Sequence, residues 1–279
     1  MIDRAHLIAF LEEDAPYGDI TSESVIPVNT TAEAVVVVRE RAVVAGLEEA
    51  SFLFRHLGAV VAEGAADGDD VEGGAVLLRI SGSARAILYA ERTALNLIGR
   101  MSGIATATRA AVRVVEAAAP GVRVASTRKT CPGLRLLDKK AVVLGGGVAH
   151  RSCLSDMVLI KDNHLAIVGL EDAIRRARQG CPYHRIEAEV ECPGDAVRAA
   201  RAGADIVLLD NMSPEEVQES VAALHTDGLR ERVLLEISGG VTSDTLNAYA
   251  ASGADLISMG MLTHSVRNVD VSLDIVRTG

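Results

Sequence analysis

The chain has 279 residues, room for one or two domains. Hydrophobic residues make up 49% and aromatics only 3%, with no Trp, so Ala, Val, Leu and Ile must build the core; these residues suit buried parallel strands and the helices that cover them. A formal net charge of −10 excludes a broad nucleic-acid-binding face, which must be basic, and makes any local cluster of cations stand out.

The segment beginning Met1-Ile2-Asp3-Arg4 lacks the basic start and unbroken apolar stretch of a signal peptide, and no later apolar run is long enough to cross a bilayer. The expectation is a soluble cytoplasmic protein without a membrane partner. Residues 3–13 suit a helix, with Leu7, Ile8, Phe10 and Leu11 apolar; an acidic loop from Glu12 to Thr21, broken by Pro16 and Gly18, follows. Residues 33–46 and 75–88 read as strands of a first sheet, and 67–74 as an exposed turn between them. A helical stretch runs from about Ala90 to Ala118, where Gly99 and Gly103 are expected to divide it and mark a domain boundary.

Beyond residue 120 short Val/Ile/Leu runs alternate with helical patterns. Strands are predicted at 122–127, 156–161, 185–191, 205–210, 233–238 and 255–260, and helices at about 169–179, 194–203, 214–226 and 243–252. Ser213-Pro214-Glu215-Glu216 is a helix start, with Ser as cap, Pro in the first turn and Glu closing a capping box. Repeated β–α units mean a parallel sheet, read here as a small or incomplete α/β barrel with an open sheet as the alternative.

The polar residues recur at one place, the C-terminal end of each predicted strand, where α/β barrels build active sites. They are Ser126-Thr127-Arg128-Lys129, Lys161-Asp162-Asn163-His164, Glu187 to Glu191, Asp210-Asn211, Ser238-Gly239-Gly240 and Gly260. Arg128, Lys129, His150, Arg151 and Lys161 form a cationic set that is costly to assemble unless anions neutralise it, so the site should bind a polyanion. Gly145-Gly146-Gly147 could let backbone amides approach an anion, or simply make a tight turn. Strand alternation puts Glu187, Glu189 and Glu191 on one face. Glu191, nearest the strand end, is expected to face the site with Asp210, and Glu189 to pair with a cation from a neighbouring strand. The Glu191–Asp210 pair suits Mg²⁺ and sugar hydroxyls, and the loops after the last strands suit phosphate. The four cysteines, Cys131, Cys153, Cys181 and Cys192, have neither zinc nor redox-motif spacing and fit a reducing compartment.

Together with Glu91-Arg92-Thr93, Thr127-Arg128-Lys129-Thr130, Gly145 to Arg151, Leu159 to His164, Glu189-Val190-Glu191, Leu208 to Asn211, Ser238-Gly239-Gly240 and Gly260 to Ser265, this pattern resembles the quinolinate phosphoribosyltransferases, the type II phosphoribosyltransferases, over nearly the whole chain. The resemblance implies an α/β protein: an N-terminal α/β sandwich (1–105), an incomplete six- or seven-stranded α/β barrel (106–268) and a C-terminal tail (269–279) returning to the first domain. It implies transfer of phosphoribosyl from phosphoribosyl pyrophosphate to quinolinate with decarboxylation, as in NAD biosynthesis. Mg²⁺ is the implied cofactor. A homodimer, or a higher oligomer built from it, is implied too, with Arg92 reaching into the partner's site. Carried over residue by residue, Arg92, Arg128, Lys129, His150 and Arg151 hold quinolinate, and Lys129, Lys161, Glu191 and Asp210 are catalytic. Lys161, Glu191, Asp210, Ser238, Gly239, Gly260 and His264 bind the phosphoribosyl group, and Glu191 and Asp210 serve the metal. Ala149, where a polar residue is frequent, and a slightly short stretch between Glu191 and Asp210 depart from the family pattern. The rival readings are a nicotinate phosphoribosyltransferase or molybdenum-operon paralogue of the same superfamily, a Schiff-base aldolase using Lys161, and a non-catalytic nucleotide sensor.

Overall fold

The computed structural model describes residues 4–279. The first elements are α1 (Arg4–Asp14), α2 (Ile20–Val25), β1 (Thr31–Val38), β2 (Ala42–Val43), α3 (Leu47–His56), β3 (Val60–Glu63), β4 (Asp70–Val71), β5 (Val76–Ser83) and α4 (Ala84–Ala118). Then come β6 (Arg123–Ala125), α5 (Arg135–Leu144), β7 (Val158–Ile160), α6 (Asp162–Leu165), α7 (Leu170–Gly180), β8 (Ile186–Val190), α8 (Pro193–Ala202) and β9 (Ile206–Asp210). The last are α9 (Pro214–Thr226), β10 (Leu234–Ser238), α10 (Leu246–Ala250), β11 (Leu256–Ser258), α11 (Met261–His264) and β12 (Val271–Thr278). The chain divides into two compact units, one comprising residues up to 109 with 131–146 and 265–279, the other 110–130 with 147–264.

In the first unit a four-stranded sheet runs β12-β1-β5-β3. The C-terminal strand β12 pairs antiparallel with β1 from Val38↔Val271 to Ala32↔Thr278, so the tail is a full sheet member rather than an appendage. The exposed turn expected at 67–74 contains β4, which pairs with β2. The helix expected from residue 3 is α1; residue 3 itself lies outside the described residues.

Gly99 and Gly103 do not divide α4, which is continuous over 35 residues. A Cβ on Gly99 would lie 3.0 Å from the Val269 carbonyl oxygen, and one on Gly103 would collide with that of Arg267. The glycines let the backbone of 267–269 lie against the helix, where the Val269 amide donates to the Gly99 carbonyl at 3.0 Å. Helix glycine here serves close approach, which outweighs its cost of about 1 kcal/mol in propensity.

The second unit holds a parallel sheet of six strands, ordered β6-β11-β10-β9-β8-β7. Its end strands β6 and β7 are not paired to each other, yet residues at the ends of both face one cavity, as in an incomplete six-stranded α/β barrel. Val148 extends the β6 edge through an isolated parallel bridge to Ala125. Period-two alternation sorts the side chains of these strands. Ile186, Ala188 and Val190 of β8, Val207 and Leu209 of β9, and Leu235 and Ile237 of β10 join one apolar core with helix residues such as Ile174, Ala199 and Val217. The alternate positions, Glu187, Glu189, Leu208, Asp210, Glu236 and Ser238, are left for the other face. The start of α9 carries its capping box: the Glu216 amide donates to Ser213 Oγ at 3.2 Å, and the Ser213 amide to Glu216 Oε2 at 2.7 Å.

Candidate active site

At the C-terminal ends of the six strands lies a cavity of about 570 Å³, enough for a mid-sized ligand. Its walls come from the β6 end (Ser126, Thr127, Arg128, Lys129), the segment before β7 (His150, Arg151), β7 and α6 (Leu159, Lys161, Asp162), and the four remaining strands. Those strands contribute Glu189, Leu208, Asp210 with Asn211, Glu236, Ser238 with Gly239 and Gly240, and Ser258. Arg128, Lys129, His150, Arg151, Lys161, Asp210, Ser238 and Gly239, dispersed in sequence, therefore share one wall. Gly260 and His264 adjoin it through Lys129: a Cβ on Gly260 would lie 3.0 Å from Lys129 Cδ and 3.2 Å from His264 Cδ2. Thr263 Oγ1 donates to the Lys129 carbonyl at 2.8 Å and ties this corner to α11.

Besides Gly260 and His264, which only adjoin it, two predicted residues lie outside that wall. Glu191 lies one position past the end of β8 and is exposed; Glu189, two residues earlier, faces the cavity in its place and pairs with Lys161 from the neighbouring strand. Arg92 is exposed on α4 in the first unit. Sequence reasoning missed Glu236 and Ser258. The signal for Glu236 was a lone carboxylate between Leu235 and Ile237, in phase with Ser238 two residues on.

The glycine run makes a tight turn. It follows the end of α5 with Gly146 at φ 94° and its amide donating to the Val143 carbonyl at 2.9 Å, and none of Gly145, Gly146 and Gly147 lines the cavity. Among the described residues two non-glycines have positive φ, His150 (54°) and Asn211 (53°), and both line it. Left-handed backbone costs a non-glycine residue roughly 1 kcal/mol and is retained where a side chain must be aimed. Gly239 (φ 83°) packs so closely on Asn211 that a Cβ would strike the Asn211 amide oxygen.

The electrostatics are arranged in layers. Nine-tenths of Arg151 is buried, and its guanidinium donates to the Met157 carbonyl at 3.2 Å. Burial presses its pKa down, the nearby Arg128 adds to that, and Glu187 opposes it. The Arg128 Nε is buried with no hydrogen bond among the described residues, a donor awaiting an acceptor. Beneath these cations, His150 Nε2 lies 3.5 Å from Glu187 Oε2 and 3.4 Å from Glu236 Oε1. Burial alone would lower the imidazole pKa, but the two carboxylates more than reverse this and raise it to about 9. The Arg151 amide donates to His150 Nδ1 at 2.8 Å, which favours the neutral ring. Two full charges outweigh one amide dipole, so the imidazolium prevails and the Nδ1 contact is the one that yields. In either state Nε2 keeps its proton between the carboxylates. Burial raises the pKa of Glu187, whose oxygens have no hydrogen bond among the described residues.

His150, Glu187 and Glu236 offer ligand atoms within 4.8 Å of one another, but the ring nitrogen facing both carboxylates is Nε2, and a protonated nitrogen cannot ligate. Glu48, Glu49 and Asp67 form a second such group, already gathered around the Lys140 ammonium. The better place for a divalent cation is Asp210, whose carboxyl is pushed up by burial and then by the neighbouring Glu189. An arriving cation would relieve that repulsion. A site with one or two carboxylates, completed by substrate phosphates and water, is the usual Mg²⁺ arrangement.

The chain is similar to known proteins along nearly its whole length. Two family models match, quinolinate phosphoribosyl transferase N-terminal domain over residues 19–102 and C-terminal domain over 104–274. The chain is 48% identical over 267 residues to a probable carboxylating nicotinate-nucleotide pyrophosphorylase of Methanothermobacter thermautotrophicus, covering 95% of this chain and 96% of that one. It is 37% identical over 270 residues to the Homo sapiens carboxylating nicotinate-nucleotide pyrophosphorylase, covering 96% and 89%. The solved nicotinate-nucleotide pyrophosphorylase of Francisella tularensis superposes with a TM-score of 0.91 at 32% identity, covering 99% of this chain and 98% of that one.

Proposed function

The chain belongs to the quinolinate phosphoribosyltransferase family, and from that premise we propose what its cavity does. It is a carboxylating nicotinate-nucleotide pyrophosphorylase: phosphoribosyl passes from phosphoribosyl pyrophosphate to quinolinate, giving nicotinate mononucleotide, pyrophosphate and carbon dioxide, a step of NAD biosynthesis. The observation that carries the reading is the gathering of Arg128, Lys129, His150, Arg151 and Lys161 around one cavity in a chain of net charge −10, within a full-length family match. Such a set suits a dicarboxylate beside a polyphosphate.

Arg128, Lys129, His150 and Arg151 receive the two carboxylates of quinolinate, the unpartnered Arg128 Nε among the donors. This holds the ring nitrogen toward the anomeric carbon, so that its lone pair forms the new C–N bond as the bond to pyrophosphate breaks. Lys161 neutralises charge on the substrate anions and is itself held by Glu189. Asp210, with Asn211 fixed on it by a 2.6 Å hydrogen bond, addresses the ribose hydroxyls. Ser238 and Gly239 offer a hydroxyl and a left-handed backbone turn to the 5′-phosphate, and Gly260 and His264 close that corner behind Lys129. Carbon dioxide then leaves from the carbon beside the now cationic ring nitrogen, which stabilises the electron pair left behind until a proton takes it up.

Mg²⁺ held at Asp210 would supply neutralisation of charge on the departing pyrophosphate. Glu191, exposed past the strand end, would meet it only through water or a substrate oxygen. We further propose a homodimer, or a higher oligomer built on it, in which the exposed Arg92 enters the partner's cavity. Among the described residues Arg92 has no ion-pair partner. A cytoplasmic location accords with four unpaired cysteines, three of them exposed. No helix among the described residues is long and apolar enough to cross a membrane.

The dicarboxylate grip separates this reading from a nicotinate-using relative. An aldolase-type Schiff base at Lys161 is disfavoured because its Nζ is engaged in an ion pair with Glu189 rather than free to attack a carbonyl. The test is product analysis with quinolinate, phosphoribosyl pyrophosphate and Mg²⁺. Nicotinate mononucleotide, with pyrophosphate and carbon dioxide in equal amounts, is expected; turnover of nicotinate in preference to quinolinate would overturn the assignment.

A further inference from the structure

At the floor of the cavity His150 meets two buried carboxylates to which the proposed reaction gives no substrate contact. Glu187 of β8 is wholly buried, Glu236 of β10 is 2% exposed, and His150 stands between them with Nε2 at 3.5 and 3.4 Å. Such groups are costly to bury and are kept where they fix something. What they fix has an identifiable geometry. His150 is held in a left-handed backbone conformation at φ 54°, its Nδ1 meets the Arg151 amide, and Arg151 follows it directly in the cavity wall. The ring is therefore held at Nε2 by the two carboxylates and lies directly against the start of Arg151.

We propose that Glu187 and Glu236 are positioning residues for the reaction, acting through His150 and Arg151 to keep a fixed, charged receptor for one carboxylate of quinolinate. The proposal rests on the assignment of His150 and Arg151 to quinolinate made above. Glu187 serves both partners. It is one of the two carboxylates at His150 Nε2, and its charge favours the Arg151 guanidinium against burial and against Arg128. Glu236 acts on His150 at the same nitrogen, Nε2. The charged groups facing this ring are these two carboxylates, from β8 and β10, with Arg151 beside it in the same segment. Glu187 and Glu236 thus act on the substrate through His150 and Arg151. With the imidazole pKa raised to about 9, the receptor stays cationic across the neutral range. A histidine at its ordinary value of about 6.5 would be mostly uncharged at pH 7.5.

The experiment is steady-state kinetics of Glu236→Gln and Glu187→Gln between pH 6 and pH 10, beside His150→Gln. Each carboxylate substitution keeps shape and removes the charge. At pH 7.5 the KM for quinolinate is expected to rise on the order of tenfold, while kcat and the KM for phosphoribosyl pyrophosphate change less than about threefold. Acid should rescue the variants. At pH 6 their KM for quinolinate returns toward the wild-type value, because protons then charge the ring that the missing carboxylate no longer charges. A merely structural defect would not respond in that way. Should the variants not fold, nitrogen-15 titration of the wild-type histidines, with the His150 signal identified by its loss in His150→Gln, reads the same quantity. A midpoint near 9 with Nε2 protonated throughout supports the proposal; a midpoint near 6.5 overturns it. Carboxylate variants with an unchanged quinolinate KM and pH profile also overturn it when His150→Gln raises that KM. If His150→Gln itself leaves the quinolinate KM unaltered, the assignment of His150 to quinolinate is what fails.

Discussion

The buried imidazole of His150 joins stability to function at a single residue. Its pKa in the folded chain is raised to about 9, against about 6.5 unfolded. A raised pKa on a basic group stabilises the fold fully below the unfolded value, and that contribution is lost as pH climbs through the folded one. Each pH unit of the difference is worth about 1.4 kcal/mol, so the ceiling is about 3 kcal/mol. The burial of Glu187, which favours its neutral form, reduces that figure. Unfolding free energy measured in urea is therefore expected to fall by roughly 1–3 kcal/mol between pH 6.5 and pH 9.5. In His150→Gln the slope over that window should flatten. An equal slope in both proteins would place the titration elsewhere. Sequence alone could gather the cations here, because Arg and Lys at strand ends announce themselves. It could not see that Glu187 and Glu236 meet at one imidazole nitrogen, since that meeting depends on residues 49 positions apart in the chain.

Among the elements, those with a strict period were legible and those set by a distant partner were not. All six strands of the barrel lie within the predicted segments, because Val/Ile/Leu runs bounded by polar ends have no helical period. The start of α9 was legible in full, its capping box being a local hydrogen-bond pattern. Helix α5 went unrecognised because Asp138 and Lys139 are buried although charged. Asp138 takes a bidentate ion pair from Arg100 of α4, at 2.8 Å for both bonds, which no periodicity reveals. Strand β12 was read only as a returning tail because its partner β1 stands at the other end of the sequence. The unbroken α4 is the clearest case: glycine propensity argued for a division, whereas backbone contact required the glycine. Gly103→Ala tests which effect is larger. Propensity would stabilise the helix by about 1 kcal/mol, while the new methyl meets the Arg267 carbonyl, which is backbone and cannot swing aside. Overpacking costs about 1–3 kcal/mol, so a net loss of up to about 2 kcal/mol is expected in chemical denaturation. A gain in stability would mean that the 265–269 segment yields freely.

On the scale of the whole molecule, the cavity draws every one of its lining residues from the second unit, while Arg92 stands exposed on α4 in the first. An exposed cation with no ion-pair partner among the described residues is free to take an anion from outside its own unit. In the proposed dimer that anion is quinolinate in the partner's cavity. Symmetry makes the idea testable, because a two-fold pair gives and receives the same residue. Arg92→Ala and Lys161→Ala should each be nearly inactive alone. In a hybrid dimer the subunit bearing Arg92→Ala keeps its own Lys161 and receives Arg92 from its partner, so one of the two cavities is complete. The other cavity lacks both residues. Random exchange at equal concentrations makes half the dimers hybrids, so activity should recover to roughly a quarter of the wild-type value. The recovery should follow the kinetics of subunit exchange, read by differently tagged subunits in the same mixture. Full exchange without recovery would mean that Arg92 serves no cavity but that of its own chain, and the first unit would then have to supply it within one subunit.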